Sequence, residues 1–111
     1  MPTPPIDARV TPAMLHILLA LASEDMHGYG IMQAIEERTH GAVEIGPGTL
    51  YRTIAHLGKV GWIEEAPTRA SDNRRTYRIT TSGREAAGAE AQRLARLVSW
   101  AEQSDLLEGA G

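Results

Sequence analysis

The amino-acid sequence predicts a mainly α-helical protein with one small β-hairpin, and three observations lead to this fold class. The chain has 111 residues, enough for one hydrophobic core. Its 42% hydrophobic and 23% charged residues are typical of a folded globular domain. Three segments with apolar residues at helical spacing precede two short segments rich in β-branched and aromatic residues, and a fourth helical segment follows.

The chain is predicted to begin with a flexible arm and a buried helix. Residues 1–10 contain three prolines and no apolar periodicity, so we expect them to be extended. Thr11 and Pro12 form a good helix start, because threonine caps the first turn and proline suits its first position. Residues 13–23 are apolar on nearly every side, which predicts a central helix contacted from several directions.

The second helix is predicted to be amphipathic. His27 interrupts the apolar pattern, and we expect it to brace the start of the helix rather than to bind a metal ion. Residues 29–38 then alternate between apolar and polar faces. Gly41 is a typical helix terminator, and residues 42–45 have the composition of either a small strand or an extended link.

The third helix is predicted to present one polar face. Residues 46–49 are suited to the start of a new helix, and apolar residues then recur at spacings of four and three. This spacing turns Leu50, Ile54, Leu57 and Val60 inward. The polar side chains that lie outward or flank this face belong to Thr49, Tyr51, Arg52, Thr53, His56 and Lys59.

A hairpin and a long helix complete the predicted fold. Residues 62–66 and 75–80 have strand composition, with a polar loop at residues 68–74 between them. An Ala-rich helix is expected from Thr81 to about Ser104. Its apolar stripe consists of Ala87, Ala91, Leu94, Val98 and Ala101, with Leu97 and Trp100 beside it.

Positive charge is concentrated in the middle of a chain whose net charge is −3. Residues 1–45 hold two basic and six acidic residues, whereas residues 46–80 hold six basic and three acidic residues. A contiguous cationic stretch is typical of a surface that meets phosphate, although a solvated basic loop has the same composition.

Several classes of function are excluded or disfavoured by residue content. With 0 cysteines the chain forms no disulfide, thiolate zinc site or iron–sulfur cluster. The four histidines lack metal-ligand spacing, and motifs of nucleophilic or phosphate-binding enzymes are absent, so we expect no enzyme, no metal and no cofactor. The longest apolar run, residues 17–22, is too short to span a membrane and no signal peptide is evident, so we expect a cytoplasmic location.

Three helices followed by a hairpin with a basic loop are the plan of a winged helix-turn-helix. In that fold the third helix enters the major groove of DNA and the hairpin loop, the wing, contacts the flanking backbone. We expect this domain at residues 11–80, a dimerisation helix at residues 81–105 and a frayed tail at residues 106–111. Arg52 is suited to a bidentate contact with guanine. The other predicted DNA contacts from helix 3 and the wing are Thr49, Tyr51, His56, Arg69, Asn73, Arg74 and Arg75.

A winged-helix module that binds protein and no DNA is the alternative, because the same fold also serves in protein assemblies.

Several short sequence blocks resemble the PadR-like family of winged-helix transcriptional regulators, in its order and spacing. The resemblance extends over about residues 12–100. The blocks are His27-Gly28-Tyr29-Gly30-Ile31, Ile35-Glu36-Glu37-Arg38-Thr39, Pro47-Gly48-Thr49-Leu50-Tyr51, Gly61-Trp62-Ile63, Arg74-Arg75-Thr76-Tyr77-Arg78-Ile79-Thr80 and Gly83-Arg84.

The resemblance implies a homodimeric bacterial or archaeal repressor that binds an inverted-repeat operator and is released by a small ligand or another signal. It also implies that Thr49 and Tyr51 lie at the DNA face and that Tyr29 lies near the DNA backbone. Arg52 occupies a position that varies in the family, so its base contact is inferred from chemistry alone. Gly58 departs from the strong helix former usual there, and the single helix after the wing resembles the shorter subgroup.

The stripe on the last helix is more than a small domain can cover, so we expect a two-fold dimer through it. The predicted interface residues are Ala87, Ala91, Leu94, Leu97, Val98 and Ala101. Alternatively, this helix folds back on helix 1 of its own chain.

Trp100 has two interpretations. Some family members resemble drug sensors in which a tryptophan on this helix stacks on planar aromatic compounds, which implies a pocket lined by Leu97, Trp100 and Met14 or Leu15. The alternative, which we favour, is a tryptophan packed in the dimer interface.

Overall fold

Four helices and a three-stranded antiparallel sheet are present in residues 9–67 and 74–107, the parts of the chain that this computed structural model describes. The order is a mainly α-helical winged helix-turn-helix followed by one long helix, as predicted. The elements are α1 (Pro12–Ser23), β1 (Met26–His27), α2 (Gly28–Arg38), α3 (Pro47–Lys59), β2 (Ile63–Ala66), β3 (Thr76–Ile79) and α4 (Thr81–Gln103).

The helix starts follow the capping residues in the sequence. The Met14 N–H donates to the Thr11 hydroxyl at 3.2 Å, with Pro12 in the first turn. The Gly30 N–H donates to Nδ1 of His27 at 3.1 Å, which confirms that His27 braces the start of α2. These bonds satisfy backbone donors that a helix start leaves without an internal partner.

The α2–α3 connection depends on one threonine. Thr39 ends α2 and its hydroxyl donates to the Ile35 carbonyl at 2.8 Å, while the Val43 N–H donates to that hydroxyl at 3.1 Å. Gly41 has a φ of +79°, a conformation that glycine adopts without strain. Residues 42–45 form no strand, so the second of the two possibilities for this segment holds.

The hydrophobic core is arranged around α1, which contacts α2, α3, α4 and β3. Ile17 and Leu18 are completely buried, in agreement with a central helix. The inward face of α3 is confirmed, because Leu50, Ile54 and Leu57 are all buried. Trp62 is half-buried and packs against this core.

The sheet contains one strand more than the predicted hairpin. β2 and β3 pair antiparallel with Ile63 opposite Ile79, and the two-residue β1 pairs with the other edge of β3. Met26 lies opposite Tyr77 and His27 opposite Thr76. The sequence predicts only an interruption of the apolar pattern at His27, because two residues are too few to show a strand pattern.

α4 is anchored to the wing and to α1. Thr80 caps it, since the Gly83 N–H donates to the Thr80 hydroxyl at 3.1 Å, and that hydroxyl donates to the Gly61 carbonyl at 2.7 Å. Arg84 donates to the Ala22 carbonyl at 3.3 Å. Within residues 9–67 and 74–107, none of the helices is long and apolar enough to cross a bilayer.

Candidate nucleic-acid interface

The outward face of α3 carries the polar side chains that the sequence predicts there. Thr49, Tyr51, Arg52 and His56 are all exposed. An Arg52 guanidinium nitrogen, Nη2, lies 3.5 Å from the Thr49 hydroxyl. These side chains supply hydrogen-bond donors and acceptors of the kind that contact base edges and phosphates. Residues 46–62 contain no acidic residue, so no carboxylate on α3 opposes an approaching phosphate.

A cleft of about 220 Å³ brings residues from α2, α3 and the wing together. Tyr29 comes from the first turn of α2, Tyr51 from α3, and Arg74 and Arg75 from the segment that leads into β3. Tyr29 is 57% exposed and Tyr51 49% exposed, so both rings are available to a ligand. Four of the predicted DNA contacts therefore lie at one site, whereas Arg69 and Asn73 fall outside the described residues.

Three further residues line this cleft that the sequence did not assign to it, namely His27, Gly28 and Tyr77. Tyr77 on β3 is buried and contributes to the lining. Burial raises the pKa of its phenol above the usual value of 10.0, with the nearby Arg75 guanidinium acting in the opposite direction. The alternation along β3 was the available signal, because Tyr77 and Ile79 occupy inward positions on either side of the exposed Arg78.

Among the described residues of the wing, two ion pairs across the hairpin moderate its positive charge. Arg78 Nε donates to a Glu64 carboxylate oxygen at 2.8 Å, and Arg75 Nε lies 3.7 Å from Glu65. All four side chains are exposed, so these pairs stabilise the fold little and are easily exchanged for contacts with another anion. The phosphate contact predicted for Arg75 did not include its Glu65 neighbour, because the pairing of β2 with β3, which brings the two side chains together, is not visible in the sequence.

The predicted interface residues of α4 separate into two groups. Ala87 is only 6% exposed and belongs to the core of its own chain, and Leu94 is half-buried against that core. This packing corresponds to the alternative in which the helix lies on α1, but it involves only the beginning of α4. Ala91, Leu97 and Val98 are exposed, and Ala101 is half-buried.

The structure also separates the residues considered for an effector pocket. Trp100 is 68% exposed, whereas Met14 and Leu15 are buried in the core. The single chain therefore does not present these two core residues at the surface together with Trp100. No cluster of three histidine, aspartate or glutamate side chains suited to a metal ion occurs among the residues that can be described.

The fold is shared with solved transcriptional regulators. A transcriptional regulator from Clostridium thermocellum has a TM-score of 0.70 and 27% sequence identity, over 80% of this chain and 88% of that one. A PadR family transcription regulator from Clostridium difficile has the same TM-score of 0.70 at 19% identity, over 84% of this chain and 97% of that one, and this likeness concerns the fold alone.

Sequence comparison gives a curated relative and a family. An uncharacterized 37.1 kDa protein in a transposon of Streptomyces fradiae is 35% identical over 89 residues. The match includes 80% of this chain but only 25% of that protein. The model of the transcriptional regulator PadR-like family matches residues 17–89. This match runs from within α1 to within α4 and includes all of α2, α3 and the three strands. The chain therefore belongs to the PadR-like family of transcriptional regulators, a family of regulators and not of enzymes.

Proposed function

We propose that this protein is a sequence-specific regulator of transcription that binds double-stranded DNA as a homodimer. The observation that carries the proposal is the convergence of Tyr29, Tyr51, Arg74 and Arg75 at one cleft beside the polar face of α3. A helix with exposed hydrogen-bonding groups next to flexible cations is the arrangement with which winged helices read a major groove and hold its backbone.

The two parts of this surface have different tasks in the proposed complex. Arg52 lies on α3, where its planar guanidinium suits a bidentate contact with guanine, and Thr49 and His56 lie on the same exposed face. Arg74 and Arg75 contact phosphates, which positions the protein without reading sequence. Base contacts from α3 would therefore decide the operator, and the wing would contribute affinity for any duplex.

The exposed end of α4 supports the proposed homodimer. Leu97, Val98 and Trp100 form a large apolar surface on this helix. A two-fold interface through it would cover this surface and set two copies of α3 about one turn of DNA apart, roughly 34 Å, which suits an inverted-repeat operator. The division into a DNA-binding region at residues 11–80 and a dimerisation helix at residues 81–105 remains part of this proposal.

Repression and release by an effector are the finer parts of the proposal, and they rest on the family. A regulator of this kind acts on the chromosome in the cytoplasm. The exposed indole of Trp100 offers a flat face to a planar aromatic effector, and binding there would bear directly on the proposed dimer.

A salt titration tests the DNA-binding proposal. Fluorescence anisotropy is measured with duplex from upstream of the protein's own gene, and with a scrambled duplex, at several salt concentrations. For Z phosphate contacts the affinity should fall with a log–log slope near −0.9Z, about −4 to −9 for a dimer that uses two to five contacts per subunit. Salt-insensitive binding, or binding to neither duplex, would contradict the proposal and favour a protein partner.

Three variants separate the two tasks. Arg74→Ala with Arg75→Ala should weaken binding to both duplexes and flatten the slope of affinity against salt, because phosphate contacts are lost.

Arg52→Ala should reduce the preference for the native duplex, by about 1–3 kcal/mol for a lost bidentate contact. Arg96→Ala removes one exposed cation from α4, outside the cleft, and should leave both properties unchanged.

A further inference from the structure

Gly28 lies directly beneath the ring of Tyr51. It is the first residue of α2 and is buried, although it has no side chain. A Cβ atom placed on it would overlap the Tyr51 hydroxyl and would lie 2.8 Å from Cζ and 3.1 Å from Cε1 of the same ring. The three nearest atoms all belong to Tyr51, so this tyrosine occupies the space that a side chain at residue 28 would need.

The backbone conformation does not require glycine at this position. The glycines with positive φ in the described part of the chain are Gly41 and Gly61, and Gly28 is not among them. Alanine is also the better helix former, so local propensity favours a side chain at residue 28. The close approach of Tyr51 is therefore the physical reason for the missing side chain.

This contact fixes the direction of a ring that is otherwise half in solvent. Tyr51 is 49% exposed, and an unsupported tyrosine on a helix surface would exchange among rotamers. Support from the α2 backbone holds its ring in the cleft with Tyr29 and Arg75 before any ligand arrives. Groups that are ordered in advance lose less conformational entropy when they bind.

We propose that Gly28 is a positioning residue for Tyr51, and that the bare backbone at the start of α2 acts as a seat for the phenol ring. The seat links α2 and α3 at the point where both meet the proposed DNA backbone. The importance of the seat for DNA binding rests on the proposed function, whereas the placement of the ring does not.

The chain contains a matched control for the seat. Gly30 lies two residues further along α2, and the three atoms nearest to a Cβ on it would belong to His27 and Met26, at 3.5–3.7 Å. These are ordinary van der Waals distances, so Gly30→Ala fits without moving a neighbour. Gly28→Ala and Gly30→Ala make the same chemical change in the same helix, and only the first displaces Tyr51.

The first test uses the protein without DNA. The chain has three tyrosines, so NMR spectra of protein with ¹³C-labelled tyrosine rings are simple, and Tyr51→Phe assigns the Tyr51 signal. We expect Gly28→Ala to shift that signal and Gly30→Ala to leave it in place. An unchanged Tyr51 signal in Gly28→Ala would overturn the seat.

The second test is a double-mutant cycle on DNA affinity at fixed salt. Gly28→Ala and Tyr51→Ala should each weaken binding by about tenfold, and the double variant should be no weaker than Tyr51→Ala alone, because the two act through one ring. Additive losses would contradict the seat. Full affinity in Gly28→Ala together with a loss in Tyr51→Ala would overturn the seat and leave the proposed function intact.

Two further results, a parent protein that binds no DNA and a Gly28→Ala variant that does not fold, also test the proposal. If the parent binds no DNA, the proposed function fails and the ring signal alone decides the seat. If Gly28→Ala does not fold, the double variant with Tyr51→Ala must recover folding, because it removes the closest atoms that the new methyl group meets. Failure of that recovery would contradict the proposal.

Discussion

The two ends of α4 carry the same kind of apolar stripe but have different surroundings. In the inner segment, residues 81–94, Ala87 is buried and Leu94 packs against the core. In the outer segment, residues 95–103, Leu97 is 44% exposed and Val98 is 49% exposed. Apolar residues recur at the same helical spacing in both segments. This spacing buries apolar residues of the inner segment and continues in the outer segment, beyond the end of the core.

This difference shows that an apolar stripe identifies a face to be covered, but not what covers it. The inner segment is fixed by contacts within the chain, including the hydrogen bond from Arg84 to the Ala22 carbonyl. The outer segment exposes Trp100 and two aliphatic residues, a surface that proteins usually reserve for a partner. Substitutions in the inner segment should therefore change stability, and those in the outer segment should change assembly.

The largest effect on stability is expected from Gly83→Ala in the inner segment. A Cβ there would overlap the Trp62 carbonyl oxygen and lie 2.8 Å from Ile79 Cγ1. The Trp62 carbonyl also accepts the Thr80 N–H at 3.0 Å, so it has little freedom to retreat. Overpacking of this kind costs about 1–3 kcal/mol in the free energy of unfolding, which chemical denaturation measures directly.

Gly88→Ala is the control for this substitution. Gly88 is exposed on the same helix, and a Cβ there would meet no atom within 4 Å apart from its chain neighbours and the backbone of its own helix. Alanine should raise stability by about 0.5–1 kcal/mol, because glycine is a poor helix former. Equal effects of the two substitutions would show that the start of α4 is not tightly packed.

Leu97→Asp in the outer segment should change assembly with little loss of monomer stability. In the proposed dimer each copy buries this leucine, which is worth about 1.5–3 kcal/mol of apolar burial per side chain. Two substituted positions per dimer should raise the dissociation constant by on the order of 100-fold or more. Sedimentation at micromolar concentration should then find monomer, and operator binding should be lost with the dimer.

Ser99→Asp provides the matched change on the opposite face. Ser99 is exposed two residues further along α4, and its position on the helix turns it away from the stripe. We expect it to leave the dimer intact. If Leu97→Asp remained dimeric, the outer segment would not form part of the interface.

Much of the fold follows from local sequence. Thr11 and Pro12 define the start of α1, and the spacing of Leu50, Ile54 and Leu57 defines the inward face of α3. Such features depend on neighbours within one turn of helix, which a sequence displays directly.

The features that were not predicted depend on contacts between distant segments. β1 exists because β3 offers a second edge to Met26 and His27. Strand register brings Glu65 beside Arg75, and the packing of α2 against α3 places Tyr51 on Gly28. Ala87 and Val98 belong to the same apolar stripe. Ala87 is buried and Val98 is exposed because the core ends between them.

The smallest expected effect concerns an ion pair near the end of the inner segment. Glu90 accepts two hydrogen bonds from Arg93, at 2.9 Å from Nε and 2.6 Å from Nη2. These bonds lower the pKa of the Glu90 carboxyl below its usual 4.5, against a smaller opposing effect of burial. A carboxyl whose pKa is lower in the folded state stabilises the fold above its unfolded pKa, and this contribution is lost as the pH falls through the folded value.

Arg93→Gln should therefore lower the melting temperature slightly at pH 7, and the difference from the parent should vanish in strong acid, where Glu90 is protonated in both states. Thermal unfolding followed by circular dichroism at both pH values measures this. Arg96→Gln removes the same charge three residues further along the helix. Its melting temperature relative to the parent should not change between pH 7 and strong acid. A difference that persists in acid would mean that Arg93 supports the helix by packing of its aliphatic stem and not through its ion pair with Glu90.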